Sequence, residues 1–188
     1  SAMIANTTGN YNTALGVNAL DANTTSSNST AIGWKALTAS TGANNTALGY
    51  NAMQATTTGD NNVAIGSDAM VDNTTGTPNV AVGMAALRNN TTAGNNTGVG
   101  YHALYAGTTG GSNTAMGAYA LDSSTTGASN AAFGKDSGTA ITTGNDNTCI
   151  GADAGDTIAT GSSNICIGSG SDCAHDSASS ITIGPITG

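Results

Sequence analysis

Hydrophobic and polar positions along this chain repeat with a period of about 17 residues, shortened by one at two places. Each unit starts at an Asn or Ser, passes a small and then an aliphatic residue, and reaches a glycine, as in Asn12-Thr13-Ala14-Leu15-Gly16. The eleven glycines stand at 16, 33, 49, 66, 83, 100, 117, 134, 151, 168 and 184. A fixed period of this kind indicates a repeat architecture, so it decides the fold class before any single residue does.

Alternation within the unit predicts a short β-strand that ends at the glycine. In 62–66, Val63 and Ile65 fall on one face and Ala64 on the other. A second apolar pair, such as Ala19-Leu20, follows each of the first seven glycines, and a return that is typically Thr-Thr-Gly closes the unit. Because a unit this short cannot hold a helix, a strand and both turns, we predict strand-turn-strand-turn units. One such unit is one coil of an all-β, parallel β-solenoid.

Eleven coils stacked at about 4.8 Å would form a rod roughly 50 Å long, in which the Asn column chains its amides along the axis. The unit has two aliphatic columns, one directly before the glycine and one four residues after it. A thin coil has room for one of them. We therefore expect the first column to line the coil and the second, which includes Leu87 and Leu104, to lie outside. An apolar stripe of that length needs cover, which predicts a homo-oligomer.

The iterated Asn-Thr-Ala-Leu-Gly and Asn-Val-Ala-Ile-Gly motifs resemble the YadA-like head of trimeric autotransporter adhesins and related phage and surface fibres. The resemblance covers about residues 7 to 184, with a longer Thr-Thr-Gly return here. It implies a left-handed β-roll, a homotrimer, and a non-catalytic fibre head that attaches to a cell surface or host receptor through a glycan or protein. The implied location is extracellular, on a cell surface or a virion fibre.

The pattern divides the chain into three parts. Residues 1–6 are expected to be a remnant and lead-in, since Ser1-Ala2-Met3 resembles a cloning scar and Thr7 begins in mid-repeat. Regular repeats fill 7–134. In the variant repeats of 135–188, Gly138, Gly155 and Asp172 replace the second aliphatic residue, and Ile141 and Ile158 appear three positions after the two glycines. We expect these coils to change shape and to lead toward a stalk or a further domain.

Composition narrows the functional classes. Only 7% of the residues are charged, the net charge is −8, and there are three cationic side chains, so binding to nucleic acid phosphates is disfavoured. No apolar run is long enough to span a membrane, and no signal peptide pattern is present. We therefore expect no membrane insertion by this fragment.

Chemical machinery is not apparent in the sequence. His102 and His175 lie at different repeat positions, and no nucleophile motif accompanies them, so we expect no enzyme activity and no cofactor. Asp60 and Asp146 have oxygen ligands for Ca²⁺, but they fit turn chemistry better, and no metal site is expected. Cys149 and Cys166 sit one repeat apart. Free buried thiols, a Cys149–Cys166 bond and a pairing that involves Cys173 remain open.

Bulky residues at the variable positions after the glycine are the candidate ligand contacts. Aromatic rings suit a shallow recognition surface because they bury much area with few rotatable bonds. The candidates are Tyr101, His102, Tyr105 and Arg88 in the central coils, and Trp34, Lys35 and Tyr50 in the early coils. The central group is the preferred site. The alternative is that these rings cover the seam between chains, and that Arg88 pairs with Asp72.

Two other functions remain open. A passive spacer of a phage or cell-surface fibre would have the same repeats and no ligand. An ice-binding solenoid is suggested by threonine columns at 57–58, 74–75, 91–92 and 108–109. Flat ice-binding faces place outward side chains two residues apart on one strand, whereas these threonines are adjacent, which disfavours the third function.

Overall fold

The computed structural model describes residues 1–173 and 178–184, and it shows a parallel β-solenoid of about ten turns. Eleven strands follow one another in chain order in a single sheet, which confirms the predicted all-β solenoid. None of the described residues belongs to a helix with the length and hydrophobicity that a membrane crossing requires.

Each strand is short and pairs in parallel with the equivalent strand of the next coil. Identical repeat positions therefore face each other, as at Ala14 and Ala31 or Ala64 and Ala81. The strands are β1 (Thr13–Leu15), β2 (Thr30–Ile32), β3 (Thr46–Leu48), β4 (Val63–Ile65), β5 (Asn79–Val82), β6 (Asn96–Val99), β7 (Thr114–Met116), β8 (Ala131–Phe133), β9 (Thr148–Ile150), β10 (Ile165–Ile167) and β11 (Ile181–Ile183).

The two aliphatic columns lie on the opposite sides from those expected. The small middle residue of each strand and the second aliphatic column form the core, so Leu87 and Leu104 are buried. The column before the glycine faces outward, with Leu48 and Met116 exposed. Our expectation that the first column lines the coil was therefore wrong. Strand alternation allows one inward residue among three, and here the inward residue is the alanine.

The second apolar pair does not form a strand, contrary to the sequence prediction. It lies in a turn where two residues of each coil adopt the left-handed conformation, for example His102 at φ 56° and Leu104 at φ 55°. This turn brings Leu104 inside, opposite the alanine column. A leucine with positive φ costs about 1 kcal/mol, and burying its side chain contributes about 2–3 kcal/mol, so burial prevails.

The variant coils keep the strand pairing and refill the same core from another position. Gly138 replaces the inward leucine, and a methyl group built there would lie 3.0 Å from Leu121 Cδ2 and 3.1 Å from Ile141 Cδ1. Ile141 and Ile158 are fully buried, three residues after the glycines that replace leucine. The volume that leucine fills in regular coils is thus filled by isoleucine from the next part of the turn.

A column of buried asparagines ties each coil to the next. The Asn96 side chain accepts a hydrogen bond from Asn113 N–H at 2.8 Å and donates one to the Gly110 carbonyl at 2.9 Å. The same two bonds are made by Asn12, Asn45, Asn79, Asn113, Asn130 and Asn147. The expected ladder therefore exists, but most of its bonds run from amide to backbone, with direct amide–amide bonds as a supplement.

Residues 1–6, expected to precede the solenoid, extend it by part of a coil. Ala2 and Met3 pack against the core, and Met3 N–H donates to the Ala19 carbonyl at 3.0 Å. The Asn6 side chain accepts a hydrogen bond from Asn23 Nδ2 at 3.0 Å. In the same way, the buried Asn73 side chain accepts one from Asn90 Nδ2. Ala2-Met3 occupies the repeat position of Ala19-Leu20, a match that the sequence contained.

Candidate functional site

The outward side of the sheet carries a continuous, partly exposed apolar column, and we call this side the sheet face. It consists of the two outward side chains of every strand. The column before the glycine is aliphatic or aromatic throughout, and eight of its eleven members are between 36% and 66% exposed. These eight are Leu15, Leu48, Ile65, Met116, Phe133, Ile150, Ile167 and Ile183. The structure thus leaves uncovered the column that sequence reasoning placed inside.

The early candidate residues form one compact stack beside this face. Trp34 and Tyr50 occupy the same position in consecutive coils, directly after the glycine, and their rings stack with centroids 4.8 Å apart at an interplanar angle of 13°. Lys35 Nζ lies 4.4 Å from the centroid of the Trp34 ring, a cation–π contact. Both rings remain exposed.

The central candidates also come together, in a separate cluster that includes one residue the sequence analysis did not select. His102 lies between two rings, with its centroid 4.2 Å from that of Tyr101 and 4.4 Å from that of Tyr105. Tyr119, one coil on, meets Tyr101 edge-on at 5.1 Å. Tyr119 stands two residues after its glycine, as His102 does, so its place in this column was the available signal.

Charged groups border the central cluster on two sides. Arg88 lies 5.9 Å from the Tyr105 centroid and 4.0 Å from Asp72, the ion pair that the sequence analysis gave as the alternative to a ligand contact. His102 Nδ1 is 3.8 Å from Asp122 Oδ1. Burial raises the pKa of Asp122, and the nearby His102 partly opposes that shift. Contact with the Tyr101 side chain raises the pKa of Tyr119. The cluster is therefore polar at its edges, and Asp122 Oδ1 is buried there without a hydrogen-bond partner.

Comparison with known protein families, curated proteins and solved structures gives no match. The function therefore has to be argued from the surfaces themselves.

The return threonines, considered for ice binding, and the two aspartates considered for Ca²⁺ are used in backbone hydrogen bonds and turns. The first threonine of each return donates its hydroxyl to a carbonyl one coil on, as Thr74 does to Thr91 at 2.9 Å. Further bonds of this kind start at Thr7, Thr41, Thr57, Thr91, Thr108, Thr125 and Thr142. Asp60 accepts from the Ala43 backbone N–H, and Asp146 sits at a corner with φ 57°. Within 1–173 and 178–184, no three His, Cys or Asp side chains are grouped to hold a metal ion.

No catalytic grouping emerges around the histidine that the structure describes. His102 stacks between two tyrosine rings and faces a carboxylate, and no serine or cysteine nucleophile is seen to contact it among the described residues. His175, the other histidine, lies outside the described residues.

The cysteines adopt the pairing that involves Cys173. Cys149 and Cys166 lie opposite each other in β9 and β10, yet the disulfide joins Cys166 to Cys173 across seven residues of sequence. Cys149 remains a free, fully buried thiol in the small-residue column. Burial raises its pKa from 9.0 to about 11.

We expect Cys149 to resist alkylation by iodoacetamide at pH 8 in the folded protein and to react after unfolding, as measured by mass spectrometry. The thiol is protonated and inaccessible when folded. Because its folded pKa exceeds the unfolded value, the stability it contributes is present below pH 9 and is lost as the pH rises toward 11. Cys149→Ala, which matches the alanines of the same column, should remove that part of the pH dependence. Equally fast labelling of folded and unfolded protein would contradict the assignment.

Proposed function

We propose that this chain forms the head of a trimeric, extracellular fibre that attaches to a cell surface or host receptor without catalysis. The observation that carries the proposal is the exposed sheet face. Its apolar column runs along all eleven strands, from Leu15 to Ile183.

The size of the sheet face argues that another copy of the chain covers it. Ten strand spacings of about 4.8 Å and a width of about 10 Å give roughly 500 Å² for the whole face. The column before the glycine is a continuous apolar stripe along it, beside a column in which six of eleven residues are threonine. An exposed apolar stripe that runs the length of a soluble protein is typical of an interaction site. A parallel solenoid has a straight face with the same residues at every level, so identical chains set side by side bury it along its whole length.

Three further features support an extracellular fibre. Disulfides persist in oxidising environments, and the Cys166–Cys173 bond fits that location. The repeat motifs resemble the heads of trimeric adhesins, which implies three chains and surface attachment. Each coil is held to the next by buried amide and hydroxyl bonds, which suits a rigid, extended element.

The proposal predicts that light scattering on the purified protein gives three times the 18.1 kDa mass of a single chain. Ile65→Lys combined with Met116→Lys puts two charges on the sheet face, and we expect it to produce monomers because burying unpaired ammonium groups is costly. Thr75→Lys with Thr126→Lys, on exposed positions of the return, is the matched control and should remain trimeric. A monodisperse wild-type monomer would overturn the trimer.

Attachment is measured on the same three proteins: wild type, sheet-face variant and control. Each is applied to a glycan array and to a panel of immobilised extracellular-matrix proteins. Retention of wild type and control, with weakened retention of the monomeric variant through lost avidity, supports the attachment function. A stable trimer that no array element retains would instead favour the passive spacer, and thermal hysteresis in the same samples would favour ice binding.

A further inference from the structure

We infer that the gap above Ser67, between Tyr50 and Met84, is a stacking slot for a neutral hexopyranose ring. This inference names a ligand class for the early aromatic stack, and its biological meaning rests on the proposed attachment function. The sequence analysis preferred the central cluster instead. The stacking geometry of the two groups reverses that preference.

The early stack is closed at one end and open at the other. Tyr50 covers one face of the Trp34 ring at 4.8 Å, so the ammonium of Lys35, at 4.4 Å from the same centroid, covers the opposite face. The far face of Tyr50 is turned toward the next coil. There the equivalent residue is Ser67, whose side chain is too small to cover a ring, and Tyr50 is 50% exposed.

The space beyond Tyr50 has the thickness of one ring. After Ser67, the next residue of the column is Met84, which is exposed. Two coil spacings separate Tyr50 from Met84, about 9.6 Å along the axis. Half of that distance equals the Trp34–Tyr50 centroid separation of 4.8 Å. One six-membered ring between them therefore contacts Tyr50 on one side and the Met84 thioether on the other.

The floor of the slot carries polar groups that suit sugar hydroxyls. Ser67 Oγ donates to Asp68 Oδ2 at 3.1 Å, and Asn51 Nδ2 donates to Asp68 Oδ1 at 3.1 Å. These bonds fix the Asp68 carboxylate and leave acceptor lone pairs on both oxygens. A pyranose combines an apolar C–H face, which packs on a tyrosine ring, with hydroxyl edges that donate to a carboxylate.

The negative charge of Asp68 favours a neutral sugar over an acidic one. Asp68 lies at the floor of the slot, Lys35 is engaged with Trp34 at the closed end of the stack, and Arg88 is paired with Asp72. A sialic or uronic acid would therefore bring its carboxylate toward Asp68 with no cation to receive it.

The central cluster lacks an open ring face of this kind. His102 is sandwiched by Tyr101 and Tyr105, Arg88 lies over the Tyr105 ring, and Tyr119 meets Tyr101 edge-on. Its members mainly bind one another, so the cluster presents edges and hydroxyls to solvent. Ring stacking by a sugar is thus favoured at Tyr50.

Saturation-transfer NMR with methyl β-galactopyranoside, methyl β-glucopyranoside and methyl α-mannopyranoside tests the slot. We expect at least one to bind with a dissociation constant on the order of 1 mM, as befits about a dozen non-hydrogen atoms. Ser67→Met fills the slot with a side chain that this column already carries at Met84, and should weaken binding at least tenfold. Ala118→Met, the same change three coils on, should leave binding unchanged.

Emission from Trp34, the only tryptophan, checks that the stack is intact in both variants. The slot is overturned if none of the three pyranosides binds at about ten times that concentration, if Ser67→Met binds like wild type, or if glucuronic acid binds more tightly than the neutral sugars. Light scattering on the same samples separates the two proposals. A trimer without pyranoside binding removes the slot alone, whereas a monomer that binds it removes the trimer alone.

Discussion

Replacing Gly117 with alanine is expected to destabilise the solenoid by more than about 4 kcal/mol. Gly117 ends β7 with φ 147°, and a methyl group there would lie 2.2 Å from the carbonyl oxygen of Gly134 in the next coil. That oxygen belongs to the backbone and cannot rotate away. Relief requires moving these two coils apart, which would break the hydrogen bond from Gly134 N–H to the Met116 carbonyl at 2.9 Å. Urea denaturation at fixed protein concentration measures the loss.

Gly107→Ala is the matched control for this substitution. Gly107 has no positive φ, and the nearest atoms to an added methyl group are carbonyl oxygens at 3.3 and 3.4 Å. Other coils carry side chains at this position, including Asn90 and Ser124. A change within about 1 kcal/mol is expected. Equal losses from the two alanines would show that the close approach of glycine corners does not limit the coil stacking.

The second large effect is expected from a pair of substitutions in the core of the coil that contains β7. Leu121→Gly alone should cost about 3 kcal/mol, because the cavity it leaves outweighs the relief of a positive φ at Leu121. Ser124→Ile alone should cost about 1–3 kcal/mol through overpacking. Together they copy the variant coil, in which Gly138 and Ile141 fill the same core. The double variant should return to within about 1 kcal/mol of wild type, a coupling of at least about 3 kcal/mol in urea denaturation.

The control for this cycle combines Leu121→Gly with Thr126→Ile, at an exposed position of the same coil. It adds the same isoleucine without reaching the cavity, so the loss from Leu121→Gly should persist. If the two double variants were equally stable, the refilling of the core from Ile141 would not be what maintains the variant coils.

Much of the fold was readable from particular residues. The glycine column predicted the coils, and the strict alignment of residues such as Asn96 and Asn113 predicted parallel pairing of identical positions. The side of each aliphatic column was not predicted correctly, since a three-residue strand has too little alternation to decide it. One signal was available. From Leu20 to Gly155, the column containing Leu104 holds only Leu, Met or Gly and no β-branched residue, as positive φ demands, whereas the column containing Ile65 is rich in Ile and Val.

The residues of the candidate site were predicted better than the way in which they are arranged. Trp34, Lys35 and Tyr50 were selected because large side chains stand out among small ones, and the structure stacks them. Tyr119 was missed because it is one coil from the residues it contacts, at a repeat position where size varies freely. Which ring face stays open depends on the neighbour one coil on, here Ser67, and on the side that Lys35 takes.

The sequence by itself determined the period, the solenoid and the polar ladders, because stacking identical coils makes every repeated residue contact its own copy. Only the tertiary structure decided which aliphatic column is inside, how Ile141 replaces leucine, and that Cys166 bonds Cys173 and leaves its strand partner Cys149 free. These outcomes depend on turn dihedrals and on volumes shared between adjacent coils. Neither quantity is set by a residue's place in the repeat alone.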